Sequence, residues 1–211
     1  MTLQLTLDGG VKLVDGQEES LRAVLALTGE RYREYTSAID CGESDRSVYW
    51  RIVFSILSVH SPIEATFAAY KSLRLWRARF GRVPSVRKLQ TLLLAAKGPD
   101  GNVTQYCYQK STYVRDFDAA WTADKARFVR NGDTDAAWRE RLRANVKGLG
   151  WAKASFAVAL ANPSTSDVCC FDTHIYAIFN GGRTPKNEIR KPLYLELESR
   201  VRALAREFNL S

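Results

Sequence analysis

The sequence has no apolar run near the roughly 20 residues that a membrane-spanning helix requires. Its opening, MTLQLTLDGG, has neither a basic start nor an apolar h-region, so no secretory signal is expected. Its four cysteines, Cys41, Cys107, Cys169 and Cys170, lack paired spacing. That argues against a disulfide framework and predicts reduced thiols in a cytosol-like compartment. No internal repeat and no low-complexity linker divides the chain. Acidic residues are missing altogether between Ala65 and Pro99.

What is present describes a globular protein. The chain has 211 residues, 45% of them apolar and 11% aromatic, which excludes a disordered polypeptide and suffices for a real core. The net charge is +8, from 31 Lys plus Arg against 23 Asp plus Glu. Eight cations fall in the acid-free stretch: Lys71, Arg74, Arg77, Arg79, Arg82, Arg87, Lys88 and Lys97. A second cluster, Arg183, Lys186, Arg190 and Lys191, lies near the C-terminus. A polyanionic partner is the natural reading, nucleic acid first, although any single cation can equally belong to a solvated helix face. These features predict an intracellular protein with no membrane partner.

The first 15 residues read as a small hairpin, with LQLTL and VKLV joined by Asp8-Gly9-Gly10. Nearly everything after it has helical periodicity. A helix is expected from Glu18 to about Ile39, and another runs to Ser58 from a cap at Ser44. Ser61-Pro62 starts a third, ending at Phe80-Gly81, and Pro84-Ser85 a fourth, ending at Leu94. Beyond the loop Gly98–Asn102, long helical stretches are expected over about Thr104–Val129 and Asp135–Val146.

Two segments carry chemistry. Lys147-Gly148-Leu149-Gly150-Trp151 separates the amphipathic stretches AAWRERLRANV and AKASFAVALAN, giving a helix, a glycine turn and a second helix. The glycines permit a sharp turn and leave amides at the next helix's start free to approach a phosphate. Downstream, DVCCF delivers Asp172 to what reads as another helix N-terminus, followed by Thr173-His174. Asp there can be a cap, a reactive carboxylate at a cleft, or both.

GLGWAKASFAVALA followed by VCCFDTHIYAIF resembles the signature of the helix-hairpin-helix (HhH-GPD, endonuclease-III-like) DNA glycosylases. The resemblance runs from Tyr49 to Phe179. It implies an all-α, two-lobed fold with a central cleft, the N-terminal hairpin added as decoration. On this reading, residues 1–211 form one domain with a glycosylase-like core over 45–180 and the hairpin at 147–151. Asp172 falls on the family's catalytic aspartate. Leu57-Ser58-Val59-His60 sits where relatives carry a residue that enters the gap left by a flipped base, so His60, with Ser58 or Ser61, is the candidate here. Amides of Leu149 to Trp151, with Gly148, Gly150, Lys147 and Lys153, are candidate phosphate contacts. Lys71, Arg183, Lys186 and His174 are secondary candidates, with His174 read as structural more than catalytic. Trp151 either packs between lobes or stacks on nucleic acid, and Tyr106, Tyr108, Tyr113 and Trp121 are either pocket lining or core.

The sequence also departs from the family pattern. Ala152 stands at the nucleophile-lysine position of bifunctional members. Lys153 is one residue on, roughly 100° round a helix, so a Schiff-base lyase route is not expected. No cysteine set follows Asp172, so no iron–sulfur cluster and no other metal cofactor is expected, a structural monovalent cation at the hairpin being the one exception allowed for. Cys169 and Cys170 read as packing residues. The expectation is a monomeric, monofunctional glycosylase. It would hydrolyse the N-glycosidic bond of a damaged or modified base extruded from double-stranded DNA. A second reading is a base-hypermodifying transferase of a divergent, phage-type branch, coupling an amine or amino acid to an activated pyrimidine 5-methyl group. A third is a DNA-binding protein that has lost catalysis.

Overall fold

In a computed structural model, residues 42–162, 165–172 and 189–207 are described, with side chains to 203. Ile39, Tyr176 and the backbone of 4–5 and 11–12 are described as well. The hairpin is present as β1 (Gln4–Leu5) and β2 (Val11–Lys12), paired antiparallel with Gln4 opposite Lys12. The helix expected from Glu18 to about Ile39 lies outside the described residues, Ile39 itself excepted, as does the hairpin turn.

Seven α-helices make up the rest of the described chain, each set by local chemistry. Ser44 caps α1 (Asp45–Leu57) by accepting the Ser47 N–H at 3.1 Å. Helix α2 (Ile63–Phe80) starts behind Pro62 and stops at Gly81, whose left-handed φ of +68° returns its N–H to Arg77. Ser85 and Thr134 cap α3 (Val86–Ala95) and α5 (Asp135–Asn145) in the same way as Ser44. Helices α4 (Cys107–Ala123), α6 (Trp151–Ala159) and α7 (Lys191–Glu207) complete the set.

The stretch expected to be one helix from Thr104 to Val129 is broken. Thr104 to Tyr106 is loop, and α4 ends at Asp124, whose φ of −157° and ψ of 85° leave helical space. A short 3-10 turn, Lys125–Arg127, then folds Phe128 back under the domain. Phe128 is fully buried, stacks on Trp121 with centroids 5.9 Å apart, and its carbonyl accepts the Trp138 indole N–H at 2.7 Å. Burying one more aromatic ring outweighs continuing the helix into solvent.

Helix α1 is central, packed by α2, α4 and α6, and every residue from Ser47 to Leu57 is buried. Even Arg51 is inside, donating from Nε to the Ala157 carbonyl at 3.1 Å and from Nη1 to that of Gly42. Two apolar clusters result. The large one surrounds α1, and the small one gathers Trp151, Phe171, Ile189, Tyr194 and Leu197 around α7. The hairpin between α5 and α6 joins them, with Leu149 in the first and Trp151 in the second. Among the described residues, no helix is long and apolar enough to cross a membrane.

Candidate nucleic-acid cleft and catalytic carboxylate

The glycine hairpin has a specific packing reason for its sequence. Gly148 has φ +86°, and a Cβ at that position would stand 2.6 Å from Cδ2 of the Tyr113 ring. Glycine is therefore required twice, by conformation and by space. Gly150 takes the N-cap position of α6, and no side chain caps that helix. A helix start with no side-chain cap of its own is the kind of site that receives an anion.

Tyr113 and Gly148 belong to the wall of a cleft of about 290 Å³. Ile56, Val59 and His60 close it from the end of α1, and Tyr106, Gln109 and Lys110 from the start of α4. Two non-glycine residues have positive φ among the described residues, His60 at 49° and Tyr106 at 54°. Both stand at this cleft with their rings 5.9 Å apart, edge to face. Both are exposed, and such strained residues concentrate where a protein meets its ligand.

Lys110 fixes the loop that carries His60. Its ammonium donates to the Leu57 carbonyl at 2.7 Å and to Ser61 Oγ at 2.6 Å, and Ser61 Oγ also accepts the Gln105 N–H at 2.9 Å. Burial pushes the Lys110 pKa down to about 8, helped by the nearby charge of Lys153 and opposed by Cys107. Lys153, half-buried on α6, lies over the Phe156 ring at 5.5 Å and within electrostatic reach of the Cys170 thiol. Asp172 reaches that thiol too: burial raises Cys170 to about 12, with Lys153 lowering it and Asp172 raising it further. Asp172 is half-buried, and its carbonyl accepts the Tyr176 N–H at 2.9 Å. Ala152, by contrast, packs against the small apolar cluster.

The other candidates divide. Lys147 is exposed and pairs with Asp116 at 3.0 Å. The side chains of Trp151 and Leu149 are buried, and Trp151 packs beside Tyr194. Ser58 is buried, donating to the Ser55 carbonyl. Tyr106 and Tyr113 line the cleft and Tyr108 is exposed, whereas Trp121 belongs to the core. Lys71 is exposed on α2, but Arg77 lies 3.9 Å over the Tyr49 ring and Arg74 lies over Trp50 and Tyr70. Part of the acid-free cationic stretch therefore packs on aromatic rings. His174, Arg183 and Lys186 lie outside the described residues. Sequence reasoning missed Lys110, although a lysine on the buried stripe Cys107–Ser111–Val114–Phe117 is the signal that finds it.

A helical fold of this kind, with a glycine hairpin opening the helix that precedes an aspartate, is that of the helix-hairpin-helix glycosylase superfamily. The chain belongs to the 8-oxoguanine DNA glycosylase family (Ogg-HhH), whose model matches residues 28–210. The solved structure of 8-oxoguanine DNA glycosylase from Methanocaldococcus jannaschii is similar over 93% of this chain and 89% of its own, with a TM-score of 0.68 and 17% identity. The 8-oxoguanine DNA glycosylase of Thermotoga maritima matches with a TM-score of 0.64 and 20% identity, covering 90% and 89%. The Methanocaldococcus jannaschii 8-oxoguanine glycosylase/lyase in complex with a 15mer DNA containing 8-oxoguanine gives 0.61 and 19%, covering 91% and 87%. No curated protein sequence matches the chain.

Proposed function

We propose that this protein excises 8-oxoguanine from duplex DNA by hydrolysing the N-glycosidic bond, with Asp172 as the catalytic carboxylate. Family membership supports the substrate class, and one of the similar structures, the Methanocaldococcus jannaschii enzyme, holds 8-oxoguanine DNA. The observation that carries the reading is the cleft walled by Gly148 of the hairpin together with His60 and Tyr106, the two non-glycine residues held at positive φ among the described residues. Extruding the lesion leaves a gap in the stack. His60, presented at the cleft mouth beside Tyr106, fills it. The amides at the start of α6, with Lys147 and Lys153, hold phosphates and fix the register of the strand. Asp172 faces the sugar, where its negative charge stabilises the oxocarbenium-like centre at C1′ as the base departs and orients the attacking water.

The step is hydrolytic because position 152 holds an alanine packed into the small cluster. The test is incubation with a duplex carrying 8-oxoguanine opposite cytosine. Three readouts are needed: free base by mass spectrometry, alkali-labile sites, and borohydride trapping. Released 8-oxoguanine, strand scission only after alkali and no trapped adduct are expected. A borohydride-trapped protein–DNA adduct refutes the hydrolytic route and turns attention to Lys153 and Lys110. A mass gain on the nucleoside without base release refutes excision.

A further inference from the structure

The residues that deliver Asp172 are gripped by a helix far along the chain. Glu198 of α7 accepts the Cys169 N–H at 2.9 Å. Tyr194, one turn earlier, donates its hydroxyl proton to the Cys169 carbonyl at 2.9 Å and accepts the Phe171 N–H at 3.1 Å. Phe171 N–H also reaches the Cys169 carbonyl at 3.0 Å, so the tyrosine oxygen braces a tight three-residue turn at both its polar groups. Ser155 of α6 lies 3.0 Å behind the tyrosine oxygen. Arg139 of α5 reaches Ser155 at 3.3 Å and both oxygens of Glu198 at 2.6 and 2.7 Å. All four side chains are buried, and Phe171 is fully so.

This segment belongs to no sheet, so its buried backbone groups have no ladder to satisfy them. Side chains of α7 do so instead, one peptide before Asp172. We infer that Tyr194, backed by Glu198, is a positioning residue that sets where the Asp172 carboxylate stands relative to the sugar. The inference rests on the reading of Asp172 given above. Without the tyrosine hydroxyl, the Cys169 carbonyl and the Phe171 N–H each lose a hydrogen-bond partner, and the turn relaxes. A displacement of about 1 Å at a reacting group costs on the order of 10²-fold in rate.

The test compares Tyr194→Phe with Ser155→Ala, each of which removes one buried hydroxyl from the same network. Single-turnover release of 8-oxoguanine, Kd for a duplex bearing a tetrahydrofuran abasic analogue, and the active fraction by stoichiometric titration are measured for each. Tyr194→Phe is expected to slow release about tenfold or more at unchanged Kd and active fraction, whereas Ser155→Ala changes it less than about threefold. Equal losses in both variants, a wild-type rate in Tyr194→Phe, or a loss matched by a lower active fraction each overturn the inference. The Asp172 amide resonance supplies a readout independent of turnover. It shifts in Tyr194→Phe and stays in place in Ser155→Ala, and the reverse pattern overturns the claim. Failure of the wild type to release any base strikes the excision reading alone, and the resonance then decides the positioning claim.

Discussion

Gly148→Ala is the sharpest perturbation of the hairpin. The native φ of +86° is left-handed, and holding an alanine there costs about 1–2 kcal/mol. The new methyl would also stand 2.6 Å from Tyr113 Cδ2 and 3.0 Å from Cε2, far inside contact distance. Moving a half-buried ring, or the hairpin, to make room costs about 1–3 kcal/mol more. The sum, about 2–5 kcal/mol, lowers the melting temperature of a chain this long by about 4–20 °C. Urea denaturation of Gly148→Ala, Tyr113→Ala and the double variant separates the two parts. In the Tyr113→Ala background the clash is gone, and only the strain of about 1–2 kcal/mol remains. A Gly148→Ala protein within about 0.5 kcal/mol of wild type refutes the reasoning outright. An undiminished cost in the double variant refutes the role given to Tyr113.

Further expectations follow from the same contacts. Burial brings Lys110 from the ordinary 10.5 to about 8, so between those values the unfolded chain holds a proton that the folded protein has released. The Lys110 contribution to stability must therefore rise with pH through that window, by up to about 3 kcal/mol. Urea titrations from pH 7.5 to 10 should show wild type gaining on Lys110→Met. Lys153 and Cys107, which face Lys110, are present in both proteins, so a flat difference contradicts the assignment. Cys170, pushed from 9.0 to about 12, should be alkylated at pH 8 about 10³-fold more slowly than free cysteine, as peptide mapping would show. Arg77→Ala should lose about 1–2 kcal/mol of stability through its Tyr49 contact while leaving the salt dependence of DNA binding unchanged. Lys71→Ala, if Lys71 meets a phosphate, should instead reduce the log–log salt slope by about 0.9 without changing the melting temperature.

Much of this architecture is written locally in the chain. Ser44, Ser85 and Thr134 each accept an amide three residues on, and Gly81 turns left-handed at the end of α2. Such signals act over one turn, so they can be read without knowing the partners. The hairpin glycines are legible for the same reason, although the Tyr113 ring behind Gly148 is not. Local signals fail where a distant group decides. Asp124 breaks a periodic helix because Phe128 has a place under Trp138. Lys110 is buried because the end of α1 offers it the Leu57 carbonyl and the loop that follows offers it the Ser61 hydroxyl. The brace on the Asp172 segment comes from Tyr194 and Glu198, more than twenty residues further along the chain, and nothing in the segment's own sequence announces it. Arg74 and Arg77 look like part of a nucleic-acid surface until the structure sets them on aromatic rings.

The central claim is that Asp172 does chemistry on an extruded nucleotide held by the hairpin. Asp172→Asn keeps the size and hydrogen-bonding reach of the side chain and removes its charge. The account predicts that single-turnover release of 8-oxoguanine by this variant falls about 10²-fold or more, while Kd for the abasic-analogue duplex stays within about threefold of wild type. Release at the wild-type rate by Asp172→Asn contradicts it.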